Sequence, residues 1–210
     1  DIIELAKIHI KTGDLVKSEE IYRKYLATNP NDREILVAVA DLNYKLKNYA
    51  KSRDYYSAAE SLKPDNNIKL QIAKLELLLG NYESALTAAK QIQDLTLKID
   101  AYKILTLTNY RLARFYDAIK YFEKINDKSI FSAGELKLVV ESYNNLKQFA
   151  AAESLFLTLP ADQKDSALLA DIKYNAGLTY YRASKFEDSL KKIIESVELV
   201  KTAKNTGLLA

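Results

Sequence analysis

Residues 79–86 read Leu-Gly-Asn-Tyr-Glu-Ser-Ala-Leu, and this stretch contains the pattern that decides the fold. A large apolar residue, Tyr82, follows a short polar turn, and a small residue, Ala85, stands three positions after it. The third position of the pattern lies four residues further on and is Ala89 here. Residues three and seven positions apart lie on one face of an α-helix. The pattern therefore predicts a helix whose small residue lets a neighbouring helix approach closely.

The same pattern of a large, a small and usually a bulky residue occurs six times along the 210 residues. The copies are Leu15/Ser18/Tyr22, Tyr49/Ser52/Tyr56, Tyr82/Ala85/Ala89, Phe115/Ala118/Phe122, Phe149/Ala152/Phe156 and Phe186/Ser189/Ile193. Their first residues are separated by 34, 33, 33, 34 and 37 positions. This near-constant spacing indicates one recurring supersecondary element, with a short insertion before its last copy.

A second helix is predicted before each turn, because apolar residues recur there at spacings of three and four. Its close-contact place is occupied by Ala6, Ala40, Ala73, Thr106, Val140 and Gly177. The first helices are predicted at 1–12, 32–46, 66–79, 98–112, 133–146 and 167–183, and the second helices at 15–28, 49–62, 82–94, 115–125, 149–159 and 186–203. With only 5 Gly and 3 Pro, the chain favours helices and short loops over a strand-rich fold.

This pattern resembles the tetratricopeptide repeat (TPR), a helix–turn–helix repeat of 34 residues, and the resemblance covers essentially the whole chain. Residues 79–86 match the family's turn and second-helix start, and Pro30 and Pro64 stand where the second helix commonly ends. The Trp that often anchors the first helix is replaced, by Lys69 and Lys173 in two of the repeats. The resemblance implies an all-α, right-handed α-solenoid of about six repeats and about twelve helices, forming a single domain over residues 1–210. Its first helices are expected to line a concave groove.

The ends of the chain lack features that such arrays normally have. The first repeat begins two residues short, and the tail from Asn205 to Ala210 is too short for a polar capping helix. An uncapped end of a solenoid exposes apolar surface. We therefore expect either that the chain is a segment of a longer protein or that an end is covered by a partner, with self-association through the uncapped ends as one possibility.

The composition argues against catalysis and metal binding. The chain has no Cys and a single His, His9, so it cannot build a zinc or iron–sulfur site or a disulfide. Its glycines are scattered and form no phosphate-binding loop. His9 is expected to be an ordinary helix residue. We therefore predict no enzymatic activity, no cofactor and no metal.

A partner-binding groove is predicted from helical phase, on the face of each first helix opposite the small close-contact residue. The predicted binding residues are Tyr44, Lys45, Lys74, Leu77, Lys103, Tyr110, Arg111, Asn144, Asn145, Tyr174, Tyr181 and Arg182; Asp41, Leu107, Glu141 and Leu178 fall on the same face. Aromatic, amide and charged side chains of this kind suit an extended peptide or a helix. The alternative is that these residues are merely the exposed sides of helices.

The predicted function is that of a non-enzymatic scaffold that binds a protein or peptide partner. A net charge of +3 is too small for strong phosphate affinity, so nucleic-acid binding is not expected. No apolar run is long enough to insert in a membrane, and we expect a soluble domain, either cytoplasmic or envelope-associated. The carboxylate clamp of chaperone-associated family members is not expected, because no corresponding pair combines Lys with Asn. Two alternatives stay open: a lipid-anchored or surface module in cell-envelope assembly, and a regulatory docking arm of a larger enzyme.

Overall fold

The computed structural model describes residues 2–205, and the side chains of residues 2–201. Over this part of the chain there are twelve α-helices and no strand. They are α1 (Ile2–Lys11), α2 (Leu15–Thr28), α3 (Arg33–Lys45), α4 (Tyr49–Leu62), α5 (Asn66–Leu78), α6 (Tyr82–Lys90), α7 (Lys98–Arg111), α8 (Phe115–Phe122), α9 (Ala133–Asn145), α10 (Phe149–Leu157), α11 (Ser166–Arg182) and α12 (Phe186–Asn205). The predicted all-α solenoid of six helix pairs is confirmed. The expectations for residues 1 and 206–210 concern residues outside those described.

Side-chain caps mark the starts of several first helices. The carboxylate of Asp32 accepts from the backbone N–H of Ile35, and Asp65 caps α5 in the same way. Ser132 and Glu135 form a reciprocal capping box at the start of α9. Each cap satisfies backbone N–H groups that have no partner within the helix, which explains why these first helices begin within a residue or two of the predicted positions.

Three second helices end earlier than predicted: α6 at Lys90, α8 at Phe122 and α10 at Leu157. After α6, the ammonium of Lys98 donates a 2.6 Å hydrogen bond to the carbonyl oxygen of Ile92. After α8, the ammonium of Lys128, at the start of a short 3₁₀ helix, donates to the carbonyl oxygens of Phe122 and Ile125. These lysines bind carbonyl groups that the next helical turn would otherwise bind, so the helices can end early. Such tertiary contacts are not visible in the periodicity of the sequence.

The chain divides into two compact units, residues 1–108 and 109–210. In unit 1, α1 packs against α2, α3 against α4 and α5 against α6, and successive pairs meet where α2 packs on α3 and α4 on α5. In unit 2, the pairs are α9 with α10 and α11 with α12, and successive repeats meet where α8 packs on α9 and α10 on α11. Each unit is therefore a stack of helix pairs. The single domain over 1–210 stays a prediction.

The small residues predicted at the helix contacts are buried in all six repeats. In the second helices these are Ser18, Ser52, Ala85, Ala118, Ala152 and Ser189, and in the first helices Ala6, Ala40, Ala73, Thr106, Val140 and Gly177. Small side chains at these places let the two helices of a pair approach closely. The spacing of small residues in the sequence therefore identified the packing faces correctly.

Every turn between the first and second helix of a repeat contains one residue with left-handed backbone. These residues are Gly13, Lys47, Gly80, Ala113, Lys147 and Ser184, with φ between 54° and 83°. They follow the repeat spacing, and only two of them are glycine. A left-handed residue just after a helix lets the chain reverse direction while its N–H groups satisfy the last carbonyls. Non-glycine residues pay a steric cost in this conformation.

Candidate partner-binding site

In unit 1, the predicted binding residues lie on α3, α5 and α7. Tyr44 is exposed, and its ring centroid lies 5.6 Å from that of Tyr49, the residue that begins α4. Lys45 is exposed, whereas Lys74, Leu77 and Lys103 are half-buried. Tyr44 is thus supported by a neighbouring ring and still presents part of its surface to solvent.

Asp41 is held by a second tyrosine of the same helix pair. The hydroxyl of the buried Tyr56 donates a hydrogen bond to the carboxylate of Asp41. Burial and this hydrogen bond raise the pKa of Tyr56 well above its usual value. A buried hydroxyl therefore holds the carboxylate of Asp41 in position at the exposed side of α3.

Leu107, which the helical phase placed on the groove, is buried, and that prediction is wrong. The burial in α7 runs around the helix, because the consecutive residues 104–109 are all buried. A rule that assigns one buried face and one exposed face fails for a helix of this kind.

In unit 2, Tyr110 is half-buried and engaged on two sides. Its hydroxyl donates a hydrogen bond to the carboxylate of Glu141, and its ring lies 6.0 Å from that of Phe115. Burial, together with the hydrogen bond to Glu141, raises the pKa of Tyr110 to about 12. The guanidinium of the exposed Arg111 lies 5.8 Å from the ring centroid of Tyr110. The side chain of Tyr110 is therefore held by its neighbours, whereas the guanidinium of Arg111 is accessible to a partner.

A pocket of about 260 Å³ lies in unit 2 between the α9–α10 pair and α11. It is lined by Asn144, Asn145, Lys147, Phe149, Asn175, Leu178, Thr179 and Arg182. Three of the predicted binding residues, Asn144, Asn145 and Arg182, are thus brought together at one site, and Leu178 of the same predicted face joins them. Tyr174 and Tyr181 lie on α11 and are exposed.

The pocket combines amide groups with two cations. The Asn175 amide donates to the Asn144 side-chain oxygen at 3.4 Å, and the Asn145 amide donates to the Glu141 carbonyl oxygen at 2.8 Å. No carboxylate lines the pocket. Its two cationic residues, Lys147 and Arg182, are exposed to solvent. Amides that are only partly satisfied can bind the N–H and C=O groups of a peptide backbone. The cations favour a negatively charged segment beside it.

Four residues of this pocket were missed by sequence reasoning: Lys147, Phe149, Asn175 and Thr179. The phase rule considered one face of each first helix, whereas Lys147 lies in a turn and Phe149 begins a second helix. Asn175 lies on α11 next to the predicted Tyr174. The close approach of α9 and α11, which creates the pocket, depends on packing between repeats.

A larger pocket, about 360 Å³, lies in unit 1 along α5 and α6 and contains none of the predicted binding residues. It is lined by Ile72, Glu76, Glu83, Ser84, Thr87, Ala88 and Gln91. The carboxylate of Glu76 is already bound by the Asn81 amide at 2.7 Å and lies 3.7 Å from the Arg53 guanidinium. We take the smaller pocket of unit 2 as the candidate site, because its polar groups include exposed cations and it coincides with the predicted face.

The described residues provide neither a metal site nor a membrane span. Among them, no group of three His, Cys, Asp or Glu side chains is placed to hold a metal ion. None of the helices within residues 2–205 is long and apolar enough to cross a membrane. His9 lies half-buried on α1, with its Nδ1 atom 3.9 Å from a carboxylate oxygen of Asp14.

Comparison with known sequences identifies the repeat. Residues 3–67 match the family model described as tetratricopeptide repeat. Tetratricopeptide repeat protein 21B of Xenopus laevis is 21% identical over 159 residues, which are 75% of this chain and 12% of that protein. This chain therefore spans about an eighth of the length of that curated relative.

Solved structures show the same fold at low sequence identity. The C-terminal part of a TPR repeat-containing protein from Cytophaga hutchinsonii has a TM-score of 0.63 at 17% identity, covering 96% of this chain and 80% of that one. PilF of Pseudomonas aeruginosa has a TM-score of 0.62 at 13% identity, covering 100% and 91%. YrrB, described as a TPR protein with an unusual peptide-binding site, has a TM-score of 0.58 at 16% identity, covering 85% and 91%.

Proposed function

Because this chain is a tetratricopeptide-repeat protein, we propose that it is a protein-interaction scaffold that binds a peptide segment or helix of a partner at the α9–α11 surface of unit 2. Repeats of this kind generally act as non-enzymatic scaffolds. Their stacked helices present a continuous surface to a partner. The proposal concerns which part of that surface is used.

The pocket between α9 and α11 is the observation that carries the proposal. It gathers Asn144, Asn145 and Arg182, which helical phase had nominated one by one, into a single concave site. Its volume of about 260 Å³ suits a side chain or a short stretch of backbone rather than a whole small-molecule ligand. An extended segment lying along the surface would therefore place one residue in the pocket and its neighbours outside it.

The surroundings of the pocket supply the remaining elements of a peptide site. Tyr174 and Tyr181 are exposed on the same helix, and exposed tyrosines are frequent anchors in protein interfaces because they bury large area at low entropic cost. The ring of Tyr181 is held by Phe186 at 5.6 Å in an edge-to-face arrangement. Lys147 and Arg182 favour a partner that carries carboxylates next to the contacted residue.

The proposal can be tested with a random library of displayed peptides selected against the whole chain. Selected peptides are then measured by fluorescence polarisation against the wild type and the double variant Tyr174→Ala/Tyr181→Ala. We expect the double variant to bind at least about tenfold more weakly, the loss of a pair of interface anchors. Circular dichroism should show unchanged helicity, because both side chains are exposed.

Tyr116→Ala is the matched control, since Tyr116 lies in the same unit on α8 and is more exposed than either tyrosine of α11. This variant should bind the selected peptides as the wild type does. Equal binding by the double variant, or a selection that yields no peptide, would contradict the proposal. The envelope-associated and docking-arm alternatives stay predictions of the sequence, since no described feature favours either.

A further inference from the structure

The second helix of the third repeat, α6, has a small residue where the other second helices have a large one. Ala88 stands six residues after Tyr82, the residue that begins α6. The same place in the other five repeats is occupied by large side chains, all of them half-buried: Ile21, Tyr55, Tyr121, Leu155 and Lys192. The third repeat therefore lacks a side chain that the repeat otherwise packs at this place.

The place of the missing side chain opens into the pocket of about 360 Å³ along α5 and α6, because Ala88 is one of its lining residues. Ile72 of α5 supplies a second apolar group, and Ser84, Thr87 and Gln91 of α6 supply polar ones. A pocket of this volume has room for one long side chain and the water around its end. It is thus a place for a side chain that the chain itself does not provide.

A buried carboxylate also lines this pocket. Glu76 of α5 is only 8% exposed. The corresponding place is buried in the second, fourth and fifth repeats, where it contains the uncharged side chains of Asn43, Asn109 and Tyr143. Burial of a carboxylate costs free energy unless cations and hydrogen-bond donors compensate for the lost water. Among these four repeats, only the third has this requirement.

The compensation of Glu76 within the described residues is incomplete. Its Oε2 atom accepts the hydrogen bond from Asn81, whereas its Oε1 atom accepts none. The Nη1 atom of Arg53 lies 3.7 Å from Oε1, too far for a hydrogen bond, and this guanidinium is bound by Asp54 at 2.7 and 2.9 Å. A second carboxylate, Glu83, lines the pocket, and none of the lining residues is a cation. The pocket therefore favours a positively charged group.

We propose that this pocket binds the side chain of an arginine from a partner protein. A guanidinium has five N–H donors in a planar fork. The carboxylate of Glu76 and the hydroxyls of Ser84 and Thr87 supply acceptors for them, and the apolar stem of the arginine packs against Ile72 and Ala88. A lysine fits less well, because its ammonium is a compact charge with only three donors.

This site is distinct from the predicted groove and from the candidate site of unit 2. Ile72 and Glu76 lie one turn apart on the same side of α5, whereas Lys74, midway between them, points to the other side. The pocket belongs to unit 1 and shares no residue with the α9–α11 pocket. The α9–α11 pocket has cations and no carboxylate, and the α5–α6 pocket has the reverse, so the two sites select opposite charges. Each proposal can therefore fail without the other.

The test is a titration of the ¹⁵N-labelled full chain with blocked amino acids, followed by NMR. The probe is N-acetyl-arginine N-methylamide, and its neutral isostere, N-acetyl-citrulline N-methylamide, is the reference. We expect the arginine probe to shift the backbone amide signals of residues 72–76 and 83–91, with a dissociation constant of about 1–10 mM, as suits a single side chain. The citrulline probe should leave these signals unchanged, and the corresponding lysine probe should bind more weakly than arginine.

Two substitutions assign the binding to the pocket. Glu76→Gln removes the charge and keeps the size of the side chain and an oxygen that can accept from Asn81. It should weaken binding of the arginine probe at least about tenfold, the usual effect of losing a hydrogen bond to a charged group. Ala88→Tyr introduces the residue that the second repeat has as Tyr55, so it should fold, occupy the pocket and abolish binding.

Glu34→Gln and Ala58→Tyr are the matched controls, since both residues are exposed on helices of unit 1 and neither lines the pocket. Both variants should bind the arginine probe as the wild type does. Circular dichroism checks folding, and Ala88→Leu replaces either pocket variant that loses helicity. The proposal is overturned if the arginine probe shifts no signal in the two segments, if citrulline or lysine binds equally well, if a folded pocket variant binds like the wild type, or if a control loses binding.

Discussion

The hydroxyl of Ser52 donates a 2.8 Å hydrogen bond to the backbone carbonyl oxygen of Ala40, across the contact between α4 and α3. Both residues are fully buried, and both occupy the small-residue places of their repeat. Ser18 holds the same place in α2 and is equally buried, but its hydroxyl has no hydrogen-bond partner. One place in the repeat thus contains a satisfied hydroxyl in one copy and an unsatisfied one in another.

This contrast predicts opposite responses to the same substitution. Ser52→Ala should lower the free energy of unfolding by about 1 kcal/mol, because it removes a buried hydrogen bond. Ser18→Ala should leave stability unchanged or raise it, because a buried hydroxyl without a partner costs free energy. Urea denaturation followed by circular dichroism measures both. Equal destabilisation by the two substitutions would show that the hydroxyl matters through its volume and not through the hydrogen bond.

Gly177 lies on α11 where the helix packs closely against α12. A methyl group at this position would lie 2.6 Å from the Cγ1 atom of Ile193 and 3.2 Å from the carbonyl oxygen of Ser189. Gly177→Ala should therefore destabilise the protein by about 1–3 kcal/mol, the usual cost of overpacking a core, despite the higher helix propensity of alanine.

Gly134→Ala provides the control for Gly177→Ala. Gly134 lies in the first turn of α9, and a methyl group there would have no neighbour within 4 Å. The Gly134→Ala substitution should stabilise the protein by up to about 1 kcal/mol through helix propensity alone. Thermal melts of the two variants should thus shift in opposite directions. A Gly177→Ala variant that melts at or above the wild-type temperature would show that α12 can move away at no cost.

The packing faces were predictable from the sequence because they depend on residue size at fixed spacing. Ala85 and Ser189 are small for the same geometric reason, and the repeat spacing alone aligns them. The end of α8 was not predictable in this way, because the side chain of Lys128 binds the carbonyl oxygen of Phe122 from six residues away. The spacing of apolar residues contains no information on that contact.

The candidate site was predictable only in part. Helical phase placed Asn144 and Arg182 on the accessible face, and both line the pocket of unit 2. It also placed Leu107 there, which is buried because α7 is covered around its circumference. Asn175 and Lys147 were missed, since their position at the pocket depends on how neighbouring repeats pack and on the path of a turn.

Glycine in place of a non-glycine residue with left-handed backbone should stabilise the protein. Ala113 has φ 54° where the equivalent Gly80 has φ 80°. Ala113→Gly should raise the free energy of unfolding by about 1 kcal/mol, less the entropic cost of glycine in the unfolded chain. Gly80→Ala should lower it by a similar amount, since a side chain there is strained although the surrounding space is open. Chemical denaturation of both variants checks the pair; a loss of stability in Ala113→Gly would contradict the assigned backbone conformation.

Lys173 stands at the position where the repeat often has Trp. Its ammonium belongs to a network of four charged side chains. Its ammonium lies 2.7 Å from Glu153 and 2.6 Å from Glu195, and Lys192 contacts the same two carboxylates at 3.4 and 3.3 Å. Hydrogen bonding from Lys173 lowers the pKa of Glu195 against the opposing effect of burial. Burial alone would raise the pKa of Glu153, but its bonds to Lys173 and Lys192 outweigh this and lower it. The pKa of Lys173 is raised, because its bonds to both glutamates outweigh its own burial.

These shifts determine how the network's contribution depends on pH. Carboxyl groups whose pKa is lowered on folding stabilise the protein above the unfolded value of 4.5, and this stabilisation is lost as pH falls through the folded pKa. The raised pKa of Lys173 contributes below 10.5 and is lost as pH rises through the folded value. The network therefore contributes fully between these two limits.

Lys173→Met should destabilise the protein at neutral pH, because two carboxylates would then share Lys192 alone. The difference in unfolding free energy between wild type and variant should shrink as pH falls from about 7 to about 3.5, since protonation of Glu153 and Glu195 removes in the wild type what the substitution has already removed. Lys191→Met, at an exposed neighbouring position of α12, should show little difference at either pH. Urea denaturation across this pH range gives both differences. A Lys173→Met difference that stays constant with pH would mean that the side chain stabilises the repeat through its packed stem and not through its charge.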